Sequence, residues 1–193
     1  MPTLDVAFPH TWQAEMLAAR PLILPQQHFT YPREAEEVER GALEVLVRPD
    51  ATAHVEGRPP FAKDFLATCA LGFRDPAVPN GVWSTPNPEE LCAVSGGYAY
   101  LIDTTNPARF TMLAYRPVLE VRPVPAHGLL LFVGHHRILA WGRKGQAWES
   151  PKLSDEGISL GVIEGDTLHG LGWDMRTDKE VPFALELRSG VAI

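Results

Sequence analysis

The chain is short of cysteine, short of positive charge, and without a long apolar run. Two cysteines, Cys69 and Cys92, occur in 193 residues. Too few for a disulfide framework or a four-ligand zinc site, both sit in apolar runs, "FLATCALGF" and "ELCAVSGG", and read as buried free thiols. Lys and Arg number 17 against 24 Asp and Glu, a formal net charge of −7. No basic cluster is longer than Arg143-Lys144, so the basic stripe that a nucleic acid or an acidic membrane surface requires is missing. No segment approaches the ~20 apolar residues of a membrane-spanning helix. The start, MPTLDVAFPHTW, carries an acid where a secretory leader carries basic residues. The expected compartment is the cytoplasm.

Catalytic signatures are also missing. The chain has no phosphate-binding loop, no dinucleotide fingerprint, no H-E-x-x-H and no C-x-x-C. "SGG" at 95–97 lacks the frame of a nucleophile elbow. No cofactor is implied.

What is present is punctuation. Eighteen prolines and 16 glycines are spread along the chain, predicting many short elements joined by turns. Two helices are expected near the start, within residues 1–41. In "TWQAEMLAAR" (Thr11–Arg20), Thr11 can cap, Trp12, Met16 and Leu17 share a face, and Pro21 stops the run. In "PREAEEVERG" (Pro32–Gly41), proline opens the first turn, Glu34, Glu36 and Glu37 suit the positive end of the dipole, and Gly41 can cap. The glutamates read as a solvated helix face, not as an acidic site.

From residue 42 to 193 the pattern is β. "LEVLVR" sets Leu43, Val45 and Val47 against Glu44 and Arg48, with Leu46 the exception. "VLEVRPV" alternates over 118–124. "VPFALELR" turns Val181, Phe183, Leu185 and Leu187 inward, and its Pro182 marks an edge strand or a strand start. Turn sequences fall at 79–81, 126–128, 143–145 and 164–166, the spacing of antiparallel sheets.

One outline recurs. "AVSGGYAYLID" begins at Ala93 and "LFVGHHRILAW" at Leu131. Each follows a Pro-x-Pro step, at 86–88 and 123–125, and each centres a glycine between apolar stretches. "LGVIEGDTLHGLGW" (Leu160–Trp173) is a weaker third copy. The period of about forty residues suits a four-stranded repeat unit. The segment "ILAWGRKGQAWES", through Trp141, Gly145 and Trp148, resembles the strand–turn–strand of β-propeller repeats of the PQQ-like type. The Trp173-Asp174 step is similar to a strand end in WD40-like repeats. The resemblance covers residues 83–188 and implies blade-like sheets. No residue matches a quinone site. A closed propeller has at least four blades, so two or three units predict an incomplete ring, a two-sheet sandwich, or a ring completed by oligomers. "PLILP" (Pro21–Pro25) and the helices are expected to cover the open edges.

Candidate site residues follow from this frame. His135 and His136 are adjacent. In a regular strand they point to opposite faces and cannot share a metal; in a hairpin turn both rings are exposed. His169, in "TLHGLGWD", has apolar neighbours and reads as a core histidine. Asp174 and Asp178 miss the calcium-loop spacing. Asp103, in "DTTNP", reads as a turn cap. Of the aromatic residues Trp83, Tyr98, Tyr100, Trp141, Trp148 and Trp173, most serve packing. Tyr98 and Trp141, with Arg109 and Arg137, are the candidate ligand-binding set.

The leading expectation is a mainly β, non-catalytic, bacterial-style cytoplasmic scaffold that binds a protein or a small ligand. The rival is a metal-assisted hydrolase built on His135, His136 and His169 with Asp103 or Asp174. The third is a homo-oligomer formed through sheet edges.

Overall fold

A computed structural model describes residues 2–33, 41–50 and 63–193. The expected helix at Pro32–Gly41 falls mostly on 34–40, outside the described residues.

The described residues build four sheets. Sheet I holds β2 (Trp12–Leu17), β3 (His28–Tyr31), β4 (Ala42–Pro49) and β5 (Phe65–Ala70), in the order β2-β4-β5-β3. Sheet II holds β1 (Thr3–Asp5), β6 (Gly81–Ser84), β7 (Glu90–Ser95), β8 (Tyr98–Asp103) and β9 (Phe110–Met112), in the order β1-β6-β7-β8-β9. Sheet III is the meander β10 (Glu120–Val124), β11 (Leu129–Val133), β12 (Ile138–Gly142) and β13 (Gly145–Glu149). Sheet IV is the meander β14 (Ile158–Glu164), β15 (Thr167–Asp174) and β16 (Lys179–Glu186). The pairs β1–β6 and β3–β5 run parallel, the remaining pairs antiparallel. The fold is therefore mainly β, in several sheets, none of them closed.

The expected helix at Thr11–Arg20 is corrected to a strand, β2. Trp12 and Met16 are four apart, which suits one helix face. They are also an even number apart, which suits one strand face. Trp12, Ala14 and Met16 enter the core between sheets I and II. Register with β4, from Trp12↔Pro49 to Leu17↔Glu44, settles the choice. A helix this short is marginal by itself, and long-range pairing overrides local preference. Among the described residues the helical content is a single 3-10 turn, Pro125–His127.

Side-chain alternation shows how the sheets stack. On β7, Leu91 and Ala93 face sheet I, whereas Cys92 and Val94 face sheet III. On β8, Tyr100 and Ile102 face sheet I, whereas Ala99 and Leu101 face sheet III. On β11, Leu130 and Phe132 face sheet II, whereas Leu129, Leu131 and Val133 face sheet IV. The stack is I–II–III–IV, with three cores between four layers. The central strands of sheets II and III, β7, β8, β11 and β12, are buried on both faces, which is why "LCAV" and "LLLFV" read as unbroken apolar runs.

All three copies of the recurring outline are hairpins, β7–β8, β11–β12 and β14–β15. Their turns differ. The first is closed by Gly96 and Gly97 with φ of 55° and 75°, as a two-residue turn with two left-handed positions requires. The second is the four-residue step 134–137, closed by Gly134 N donating to Arg137 O at 3.1 Å. A Cβ on Gly134 would meet the Tyr115 hydroxyl oxygen at 2.5 Å and its ring at 2.7 Å, so close packing and not backbone conformation favours glycine there.

Pro182 does lie on an edge strand. Ile193 N donates to Ala184 O and Glu186 N to Val191 O, so even-numbered residues of β16 face the open side. Pro182 is one of them. Its missing N–H costs no bond to β15 and obstructs a further strand. Of the expected cover from "PLILP", Leu22 and Ile23 are almost fully exposed and cover nothing, and Leu24 is 42% exposed. Cys69 and Cys92 are buried free thiols, and burial pushes both well above the ordinary thiol range. No helix among the described residues is long and apolar enough to cross a membrane.

Candidate functional site

Glu90 opens β7 at one end of the stack, where three sheets meet. Trp141, from β12 in sheet III, donates its indole Nε1–H to Glu90 Oε1 at 2.7 Å. Thr85, just after β6, brings its hydroxyl to the same oxygen at 3.0 Å. Trp12, from β2 in sheet I, donates Nε1–H to the Glu90 carbonyl at 3.2 Å. Asp103 is the cross-strand partner of Glu90, so both carboxylates lie on the same face of sheet II. Burial pushes the Glu90 carboxyl above the ordinary range; the bonds from Trp141 and Thr85 hold it down, and the Asp103 charge pushes it further up.

Trp12 links this cluster to a surface bay of about 420 Å³ lined by His10, Trp12, Gln13, Arg48, Pro49 and Asp50. Thr11 anchors the segment by donating N–H and Oγ1–H to Pro88 O at 3.0 and 3.1 Å. His10 Nδ1 lies 3.0 Å from Phe8 O. A carbonyl only accepts, so this contact puts the proton on Nδ1 and leaves Nε2 as an acceptor in the neutral ring. The His10 ring sits 4.7 Å from the Trp12 ring at a 45° tilt. Arg48 pairs with Glu15 at 3.0 Å and reaches Asp64 at 3.7 Å, contacts that are solvent-exposed and contribute little to stability. The bay therefore sets an acceptor nitrogen, the Glu15-paired Arg48 guanidinium, the Gln13 amide and the engaged Asp50 carboxylate around a rigid aromatic floor.

The residues singled out in the sequence are dispersed. His135 and His136 occupy the β11–β12 turn, with ring centroids 6.0 Å apart. His136 Nδ1 lies 3.2 Å from Ser154 O. The expected core placement of His169 is corrected: on β15 its side chain is 42% exposed and lies 3.7 Å from Glu164. Asp103 Oδ1 accepts from Thr105 N, Thr105 Oγ1 and Asn106 N at 2.9, 2.7 and 3.1 Å. Asp174 Oδ1 accepts from Arg176 N at 2.9 Å. Arg116 lies over the Tyr98 ring at 5.1 Å. Arg109 is exposed in the β8–β9 turn. Arg137 donates to Ser150 O at 3.2 Å, and its carbonyl accepts from the Tyr115 hydroxyl. Of the nine, His135, His136 and Arg137 share the β11–β12 turn, and Asp103 and Trp141 are brought together through Glu90, the cross-strand partner of the one and the hydrogen-bond acceptor of the other. Among the described residues no three His, Cys, Asp or Glu side chains are grouped to hold a metal ion.

Two further cavities are smaller. One of about 380 Å³ is lined by Ala126, His127, Leu129, Asp166, Leu187 and Arg188. There Asp166 bridges His127 Nε2 at 3.0 Å and Arg188 at 2.9 Å. The other, about 230 Å³, lies between the 152–155 segment and the ends of β15 and β16. Glu90, His10 and His127 carried no sequence signal: Glu90 and His127 become notable through side-chain partners 39 to 78 residues away, and His10 through the bay it shares with Arg48 and Asp50.

No family model matches the chain, and no curated protein matches it. Among solved structures it is similar to the N-terminal domain of Nup159, at 12% identity and a TM-score of 0.38. That match covers 100% of this chain and 53% of the other, so the chain spans about half the length of the structure it matches.

Proposed function

We propose that the protein is a non-catalytic recognition scaffold whose blade-like sheet stack presents the His10–Asp50 bay to a polar ligand, either a small molecule or a polar segment of a protein. The bay carries this reading. It sits on a rigid base, because Trp12 is buried and hydrogen-bonded to the first residue of β7. Its polar groups are of mixed charge and converge, as ligand sites require. The carboxylates that a hydrolase would use are instead engaged locally, Asp103 by three donors and Glu90 by Trp141 and Thr85. The cytoplasm suits two buried free thiols, and the Pro182 edge disfavours oligomers built by strand pairing.

The test is a thermal-shift panel of zwitterionic amino acids, neutral sugars and small dicarboxylates against the wild type and His10→Ala. A compound that stabilises the wild type should lose at least tenfold in affinity for His10→Ala. If every stabilising compound acts equally on both proteins, the bay is not the site.

A further inference from the structure

Glu90 is placed as no other carboxylate among the described residues. Its two oxygen functions, side chain and backbone, receive indole N–H groups from two different sheets, Trp141 from III and Trp12 from I. Its own sheet supplies Thr85. These contacts span the layers at the end of the stack where the bay lies.

We propose that Glu90 is a proton-operated pin, whose ionised side chain clamps sheets II and III together beneath the bay, beside the backbone contact that Trp12 of sheet I makes to the same residue, and whose neutral form loosens that clamp. This rests on the reading of the bay only for its consequence, the regulation of ligand binding there; the pin itself is a property of the protein alone.

The physical argument is one of hydrogen-bond strength against burial. An ionised carboxylate accepts charge-assisted bonds, roughly twice as strong as neutral ones. Ionised, Glu90 holds the Trp141 indole and the Thr85 hydroxyl firmly. Protonated, the same oxygen accepts more weakly. Burial opposes ionisation, so the two states lie closer in free energy than for an exposed glutamate. The groups facing Glu90 reinforce this. From β8 the facing charge is Asp103, which is negative. Along β7 itself the same face carries the Cys92 thiol. From β6, β12 and β2 the contacts are Thr85, Trp141 and Trp12, which carry no charge. His10, Arg48 and Asp50 lie on the bay side of Trp12. Among the described residues no cation contacts Glu90, so no ion pair there fixes its state.

The test follows the indole N–H resonances by two-dimensional NMR across about pH 4 to 8, without any ligand, with the Trp141 signal assigned from Trp141→Phe. The Trp141 resonance should titrate with a midpoint above the ordinary glutamate range. In Glu90→Gln, which keeps a carbonyl acceptor for the indole, that titration should vanish. In Asp103→Asn the midpoint should move to lower pH, because the repelling charge is gone. A Trp141 resonance that does not move in the wild type, or that moves identically in Glu90→Gln, overturns the pin. Neither result depends on whether the bay binds anything, so failure here is distinct from failure of the thermal-shift panel.

Discussion

Sheets II and III differ from sheets I and IV in the number of faces they bury. The inner pair is covered on both sides, and its strands read "LCAV", "YAYLI" and "LLLFV". The outer pair is covered from one side by the next layer. Sheet IV leaves Val162, Leu171 and Val181 exposed, and sheet II leaves Leu4 exposed on its edge strand β1, whereas among the described residues no large exposed apolar side chain belongs to sheet III or sheet I. Loss of alternation therefore marks depth in the stack: a strand with period 2 has one wet face, and a continuous apolar strand has none.

The contrast makes its strongest claim about side-chain deletions. Phe132 is fully buried between sheets II and III. Phe132→Ala should cost about 3–5 kcal/mol of unfolding free energy. Leu171 is 37% exposed on the outer face of sheet IV, and Leu171→Ala should stay within about 0.5 kcal/mol. Denaturant unfolding of the two variants measures both. Equal effects would mean that the inner and outer layers are not distinct.

The hairpin turns sharpen the same comparison at smaller scale. Gly96, in sheet II, and Gly165, in sheet IV, have φ of 55° and 58°. Alanine in that conformation costs roughly 1–2 kcal/mol at either place. At Gly165 a Cβ meets nothing within 4 Å, whereas at Gly96 it would lie 2.5 Å from the Phe73 carbonyl oxygen. Gly96→Ala should therefore destabilise clearly more than Gly165→Ala, and thermal denaturation of the pair reads the difference.

The sequence was most legible where one chemistry served one purpose. The recurring glycine-centred outline predicted hairpins, and the β strands over 43–47 and 183–187 turn their apolar residues inward as their alternation implied. Val181 departs from that pattern, at 44% exposed, because it lies near the strand end beside the open 230 Å³ cavity. Glu44 also departs from it. It points away from the core between sheets I and II, as its alternation implied, yet it is only 4% exposed and accepts from Thr68 at 2.6 Å. The Trp12–Leu17 strand was illegible because its spacing fits both periods and its partner lies beyond Gly41. A turn likewise resets strand parity: Leu131 faces sheet IV, while Trp141, ten positions on, faces sheet II. The Glu90 cluster could not be read at all, since Trp12, Glu90 and Trp141 are joined only by the stacking of three sheets. Local pattern encodes strands and turns, and the order of layers arises from contacts that no short window contains.

Residue-resolved hydrogen exchange under native conditions tests the layered stack most directly. Amides of β7, β8, β11 and β12 should exchange slowest, through global unfolding, while those of β2 and β14 exchange faster through local opening. If β2 and β14 prove as protected as the inner hairpins, or the inner hairpins exchange first, sheets II and III are not the doubly covered centre of this protein.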